Sequence, residues 1–267
     1  MLLLAILLFL FSFLGAQEHK PFVIITASYN NCAWYKQNLD SVCAQDYDNW
    51  RMIYIDDCST DDTSALVLEY IKECKQTDRV MFIQNSERYG HLANQYDAIH
   101  SCDNNEIIVI LDGDDWFAHN YVLSYLNEIY LHPNVWLTYG QFKELQADCL
   151  GYCQPVPEHV IENNNVRQHP WVFGHLRTFY AGLFKNIKKE DLQYNGSFFP
   201  MAADVATMIP MAEMAVERIH FIEEILYVHN DTNPLSLQKA WPMQSFLKKV
   251  IRNRPTYARI SNWRTRN

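Results

Sequence analysis

Four short apolar runs, each stopping at a polar cluster, set the rhythm of the first half of this chain. Phe22-Val23-Ile24-Ile25, Met52-Ile53-Tyr54-Ile55, Val80-Met81-Phe82-Ile83 and Ile107-Ile108-Val109-Ile110-Leu111 are unbroken and rich in β-branched residues. Runs of this length without polar alternation predict strands covered on both faces. Between them, apolar residues return at helical spacing. One helix runs from Trp34 to Val42, a second carries Leu66, Val67, Tyr70, Ile71 and Cys74, and a short third carries Leu92, Tyr96 and Ile99. Ser59, Thr60, Asp61, Asp62 and Thr63 supply capping oxygens for the second. Strands alternating with helices of this length predict an α/β domain with a mostly parallel sheet.

The pattern continues beyond the fourth run. Val122, Leu126, Ile129 and Tyr130 mark the inner face of an amphipathic helix, and Val135 to Tyr139 form another strand. Residues 141–170 have little periodicity and read as a variable excursion suited to acceptor contacts. An aromatic-rich stretch from Trp171 to Phe184 holds His175 and Arg177. A helix then runs from Asp204 through Ala215, and the runs Ile219–Ile222 and Ile225–Val228 end at His229-Asn230-Asp231.

Ligands of open α/β sheets bind outside the carboxyl ends of the strands. Thr26, Ser28, Tyr29, Asp56, Asp57, Arg88, Asp112, Asp114 and Asp115 all fall at or just beyond such ends and share one rim. Asp112-Gly113-Asp114-Asp115 packs three carboxylates into four positions. Carboxylates so close cannot all ionise without a positive partner, and a hard divalent cation, Mg²⁺ or Mn²⁺, suits oxygen ligands. The usual phosphate devices are absent: the sequence contains neither G-x-G-x-x-G nor G-x-x-x-x-G-K-[ST], and also no H-E-x-x-H or G-x-S-x-G. A cation on carboxylates would have to neutralise any phosphate bound at this rim.

Composition narrows the class further. At 267 residues, 49% hydrophobic and 20% charged, the chain suits one globular domain of generous size. Residues 248–267 hold seven of the 22 basic residues and none of the 31 acidic ones, so the body is strongly acidic, which argues against nucleic acid as a partner. The basic tail suits an anionic membrane surface, a phosphate or plain solvent. Residues 1–16 are almost wholly apolar and precede Gln17-Glu18-His19-Lys20. That segment reads as a signal peptide or an N-terminal membrane anchor, placing the body outside the cytosol, exported or in a secretory lumen. Seven cysteines form no paired C-x-x-C motif and read mostly as core residues.

Five segments in order carry a resemblance: T-A-S-Y-N from Thr26, Y-I-D-D-C-S-T-D-D-T from Tyr54, N-S-E-R-Y-G from Asn85, L-D-G-D-D-W from Leu111, and A-A-D-V-A-T-M-I-P-M-A-E-M-A from Ala202. Together they resemble the family 2 glycosyltransferases, inverting enzymes of GT-A fold. The resemblance implies a single Rossmann-like domain over residues 17–247, with helices flanking the sheet. It also implies transfer of a sugar from a nucleotide-diphosphate donor, a UDP-sugar in the first instance, to a hydroxyl of a glycan, lipid or protein, as a hexosyltransferase does. Thr26, Ser28 and Tyr29 would line the nucleotide pocket, with Asp56 or Asp57 accepting a base N–H and Arg88 near base or phosphate. Asp112, Asp114 and Asp115 would hold Mn²⁺ or Mg²⁺ on the diphosphate, with His229 as a late metal ligand, and Asp204 would be the general base. The first segment departs from the commoner P-x-Y-N by carrying Ala27-Ser28 before the tyrosine. His175 and Arg177 are further candidates for acceptor or diphosphate contact, and Glu213 reads as a supporting or surface residue.

Two other readings compete. A non-catalytic relative would keep the rim for recognition of a glycan or nucleotide. A sugar-nucleotide pyrophosphorylase would need a glycine-rich phosphate loop after the first strand, and Thr26–Asn30 contains no glycine. Asn195-Gly196-Ser197 and Asn230-Asp231-Thr232 fit the N-glycosylation pattern.

Overall fold

The computed structural model describes residues 18–235 and 241–264. The apolar segment 1–16 and Arg266 of the basic tail lie outside the described residues. The strands β1 (Phe22–Ser28), β2 (Trp50–Asp56), β3 (Val80–Gln84) and β4 (Ile107–Ile110) alternate with helices α1 (Tyr35–Cys43), α2 (Thr63–Glu73) and α3 (His91–Ser101). Then come β5 (Trp116–Phe117), α4 (Val122–Tyr130), β6 (Leu137–Gly140), β7 (Lys143–Glu144) and the short α5 (Glu158–Glu162). The remainder holds β8 (Arg177–Tyr180), α6 (Ala181–Phe184), β9 (Gln193–Tyr194), β10 (Ser197–Phe198), α7 (Ala203–Ala215), β11 (Ile219–Ile222), β12 (Tyr227–His229) and α8 (Trp241–Arg252).

Seven strands make the central sheet in the order β11-β6-β8-β4-β1-β2-β3. Every neighbouring pair is parallel except those of β8, which runs antiparallel between β4 and β6. Successive strand residues face opposite sides, and the apolar runs feed two cores. Val23, Ile25, Ile53 and Ile108 join Leu92 and Ile99 of α3 and Val205 and Ile209 of α7. Phe22, Ile24, Met52 and Val109 join Leu39 of α1, Val67 of α2 and Leu126 of α4 on the other face. Burial on both faces explains why these strands lack alternation.

Strand β8 is the element that the hydrophobic pattern does not announce. It is four residues long, and Arg177 and Thr178 interrupt its apolar character. Its register sets Arg177 beside Ile110 and Tyr180 beside Ile107. A short strand with two polar members becomes a strand only because both neighbours satisfy its backbone.

The end of the chain is drawn back onto the domain. Trp263 stacks on Tyr180 with ring centroids 4.1 Å apart. Arg252 donates to the carbonyls of Arg167 and His169, and Arg254 pairs with Asp191 at 2.8 Å. Beneath them, Glu213 is fully buried rather than supporting the rim or lying on the surface. Arg167 grips it with Nε at 2.7 Å and Nη2 at 2.6 Å, and the backbone N–H of Tyr257 donates to it at 3.0 Å. The cysteines correct another expectation: all seven are free, and only Cys102 and Cys153 are buried. Of the two N-x-[ST] tripeptides, Asn195 is exposed in the turn of the β9–β10 hairpin, whereas Asn230 is fully buried.

Candidate active site

The acidic turn after β4 is braced from three directions. The Asn38 side chain of α1 donates to the carbonyls of Asp112 at 3.0 Å and Asp115 at 2.8 Å. The Tyr227 hydroxyl of β12 donates to Asp115 Oδ2 at 2.5 Å and accepts from the Asp112 N–H at 3.4 Å. Ser28 at the end of β1 and Asn31 in the loop after it press against Gly113, where a Cβ would come within 2.8 Å of Ser28 Oγ and 2.7 Å of Asn31 Nδ2. That close approach is why the turn carries glycine there.

Each aspartate meets a different fate. Asp115 is buried, and both its oxygens are used, Oδ2 by Tyr227 and Oδ1 by the Asn230 N–H at 2.7 Å. Burial, with Asp114 nearby, raises its pKa well above the usual carboxylate value. Asp114 Oδ2 accepts from Asn233 Nδ2 at 2.7 Å, and burial followed by the charge of Asp112 raises its pKa as well. Asp112 alone keeps a buried oxygen, Oδ1, with no hydrogen-bond partner among the described residues. Around it stand His91 Nε2 at 3.6 Å from Oδ1 and Arg177 Nη2 at 3.9 Å from Oδ2.

Arg177 projects from β8 between the acidic turn and α7. Its Nη1 lies 3.7 Å from Asp204 Oδ2, and its Nη2 donates to His175 Nδ1 at 3.2 Å. Asp204 is partly exposed in the first turn of α7, where the helix start and Arg177 both direct positive potential at the carboxylate. His175 is held neutral: burial and then the charge of Arg177 press its pKa well below the ordinary value of 6.5. His229 lies nearby, its ring 5.7 Å from that of His175, and its Nδ1 is 2.6 Å from Glu144 Oε2. Burial opposes its charge, but the carboxylates of Asp115 and Glu144 outweigh that and raise its pKa.

The candidates at the β1 and β2 ends form a second group. Thr26 is fully buried with its hydroxyl unpartnered among the described residues. Ser28 accepts from Asn31 and from the Tyr54 hydroxyl, each at 3.0 Å, so its hydroxyl props the strand end. Tyr29 is partly exposed, and the Arg88 guanidinium lies over its ring at 3.4 Å. Asp56 caps the following turn through Ser59 and Ser64. Asp57 accepts from Asn85, Arg88 and the N–H groups of Tyr89 and Gly90 at 2.9–3.1 Å. Both carboxylates are thus engaged by protein donors.

A cation can be accommodated at the acidic turn. Asp112, Asp115 and His175 each bring one ligand atom within 4.8 Å of the others, and the orphan oxygen of Asp112 is the acceptor that such an ion would satisfy. Asp114 and His229 border this set while bound to Asn233 and Glu144. Sequence reasoning singled out the carboxylates but missed Asn38, His91, Glu144, Tyr227 and Asn233. The one legible hint was Asn38, a polar residue on the apolar face that Leu39 and Val42 define.

A mostly parallel sheet ending in an acidic turn, with a carboxylate-bearing helix facing it, agrees with the GT-A fold that the sequence resemblance implies. Residues 23–148 match the family model "Glycosyl transferase family 2". An uncharacterized glycosyltransferase of Rickettsia bellii is 29% identical over 180 residues, covering 64% of this chain and 25% of that protein. Among solved structures, Staphylococcus aureus TarS 1–349 in complex with UDP-GlcNAc superposes with a TM-score of 0.62 at 17% identity, covering 83% of this chain and 61% of that one. The mannosyltransferase PcManGT of Pyrobaculum calidifontis, in complex with GDP-Man and Mn²⁺, gives 0.59 at 19% identity, covering 90% and 67%. This chain therefore spans a quarter of the Rickettsia protein and about three-fifths of the TarS chain.

Proposed function

We propose that the chain is a metal-dependent, inverting glycosyltransferase that uses a nucleotide-sugar donor, most simply a UDP-sugar. The observation that carries this reading is the juxtaposition of Asp112 and Asp204 across Arg177, at 3.9 and 3.7 Å. One carboxylate is fit to hold a cation and the other is free to meet a hydroxyl. Divalent Mn²⁺ or Mg²⁺ on Asp112, with Asp114, Asp115 and His229 or His175 around it, would offset the charge building on the departing diphosphate. Asp204 takes the proton of the acceptor hydroxyl, a contribution on the order of 10²–10⁴-fold. Tyr29 and Thr26 offer the base a ring face and a hydroxyl, with Arg88 and Asp57 shaping the loop beside them.

The structural neighbours in complex with UDP-GlcNAc and with GDP-Man and Mn²⁺ support the donor class and the metal. In this reading residues 1–16 export or anchor the protein. The test is a panel of UDP- and GDP-sugars, with Mn²⁺ and with chelator, on the purified domain. Metal-dependent donor hydrolysis or transfer that Asp114→Asn and Asp204→Asn each abolish is the expected result. Full activity in both variants would remove the site assignment.

A further inference from the structure

We propose that Arg177 is the residue that receives the donor's diphosphate. The inference rests on the reading of this rim as a nucleotide-sugar site. A guanidinium carries five N–H donors in a flat fork. In the described structure Arg177 is 7% exposed, yet it makes one side-chain hydrogen bond, to His175, and its Nε has no partner. Asp112 and Asp204 stand at 3.9 and 3.7 Å, close enough to attract the charge but beyond hydrogen-bond reach. Burying a charged group with unmet donors is costly. The fold accepts that cost at the point where the sheet, the acidic turn and α7 meet.

The complementary deficit lies beside it. Asp112 Oδ1 is a buried acceptor without a donor among the described residues. One kind of ligand answers both deficits at once: an anion rich in acceptor oxygens that arrives with a cation. A metal-bound diphosphate has that composition, and the fork of an arginine matches two phosphate oxygens where a lysine offers a single point charge. During transfer, the acceptor oxygen bonds to the anomeric carbon as the bond from that carbon to the phosphate oxygen breaks. The electron pair leaves on the diphosphate beside Arg177, and the acceptor proton goes to Asp204. His175 suits this role, since its Nδ1 accepts from Nη2 at 3.2 Å and orients the fork.

The test is calorimetric titration of the full chain with UDP, UMP, GDP and GMP, each with Mn²⁺ and with chelator. The intact protein should prefer the diphosphate to the monophosphate of its base. Arg177→Gln should shrink that preference roughly tenfold or more, with monophosphate binding unchanged. Arg177→Lys should fall between the two. Should Arg177→Gln fail to fold, as judged by its thermal unfolding, Arg177→Lys decides the matter, because charge without the fork must still lower the ratio. An unchanged diphosphate-to-monophosphate ratio in a folded variant overturns the role of Arg177 while leaving the transferase reading in place. Failure of the intact protein to bind any of the four nucleotides overturns the transferase reading, and this inference with it.

Discussion

Aspartates stand at the ends of both β2 and β4, and the two strand ends treat them differently. After β2, Asp56 and Asp57 are consumed by the protein: serine hydroxyls fill one, while an amide, a guanidinium and two backbone N–H groups fill the other. After β4, Asp115 is consumed in the same way by Tyr227 and Asn230, but Asp112 is left with a buried oxygen that no described residue answers. Carboxylates with full complements of donors build loops. A carboxylate whose neighbours stop short of it is poised for something the chain does not supply. Identical side chains at equivalent strand ends thus divide into scaffold and site, and the count of donors within reach tells them apart.

That division can be broken by measurement, and the stability effects should descend in a fixed order. Glu213 is fully buried and ion-paired, and removing it by Glu213→Ala strands Arg167 in the core. A loss of about 3–5 kcal/mol in urea unfolding is expected. Asp115→Ala should cost about 1–3 kcal/mol, because the Tyr227 hydroxyl and the Asn230 N–H both lose their acceptor. Equal stability of Asp115→Ala and the intact chain would place Asp115 with the site instead.

Asp57→Asn comes next, at about 1–2 kcal/mol, since an amide can present only one acceptor oxygen to four donors. Its pH signature is more specific. Burial pushes the Asp57 pKa up, but the amides and N–H groups around it more than offset this and hold it below 3.8. A depressed folded-state pKa means that the contribution is complete above 3.8 and is lost as pH falls through the lower folded value. The acid limb of the unfolding profile should flatten in Asp57→Asn, and amide exchange should quicken over residues 85–90.

The smallest stability change belongs to Asp112→Asn, under about 1 kcal/mol, because its ion pairs are long and partly exposed. Function should invert the order. Asp112→Asn should abolish the thermal stabilisation by Mn²⁺ with UDP, whereas Asp57→Asn should retain a metal-dependent shift. If Asp57→Asn instead removes the metal effect and Asp112→Asn leaves it, the assignment of scaffold and site is reversed.

Much of this was written in hydrophobic periodicity. The runs at 22–25, 52–55, 80–83 and 107–111 became four adjacent strands, because continuous β-branched residues are stable only where both faces are covered. The place of the acidic turn on the rim followed from strand direction and connection rules, which depend on chain order alone, whereas the place of Asp204 there was implied only by the family resemblance. Local composition could not reveal β8, Arg177's place between two carboxylates, or the burial of Glu213, since each depends on partners at least 27 residues away in the chain. Nor could it separate Asp57 from Asp112. Residue type fixes what a side chain is able to bind, but whether a donor stands 2.9 or 3.9 Å away is set by how distant segments pack. Over that ångström a carboxylate passes from structural to available.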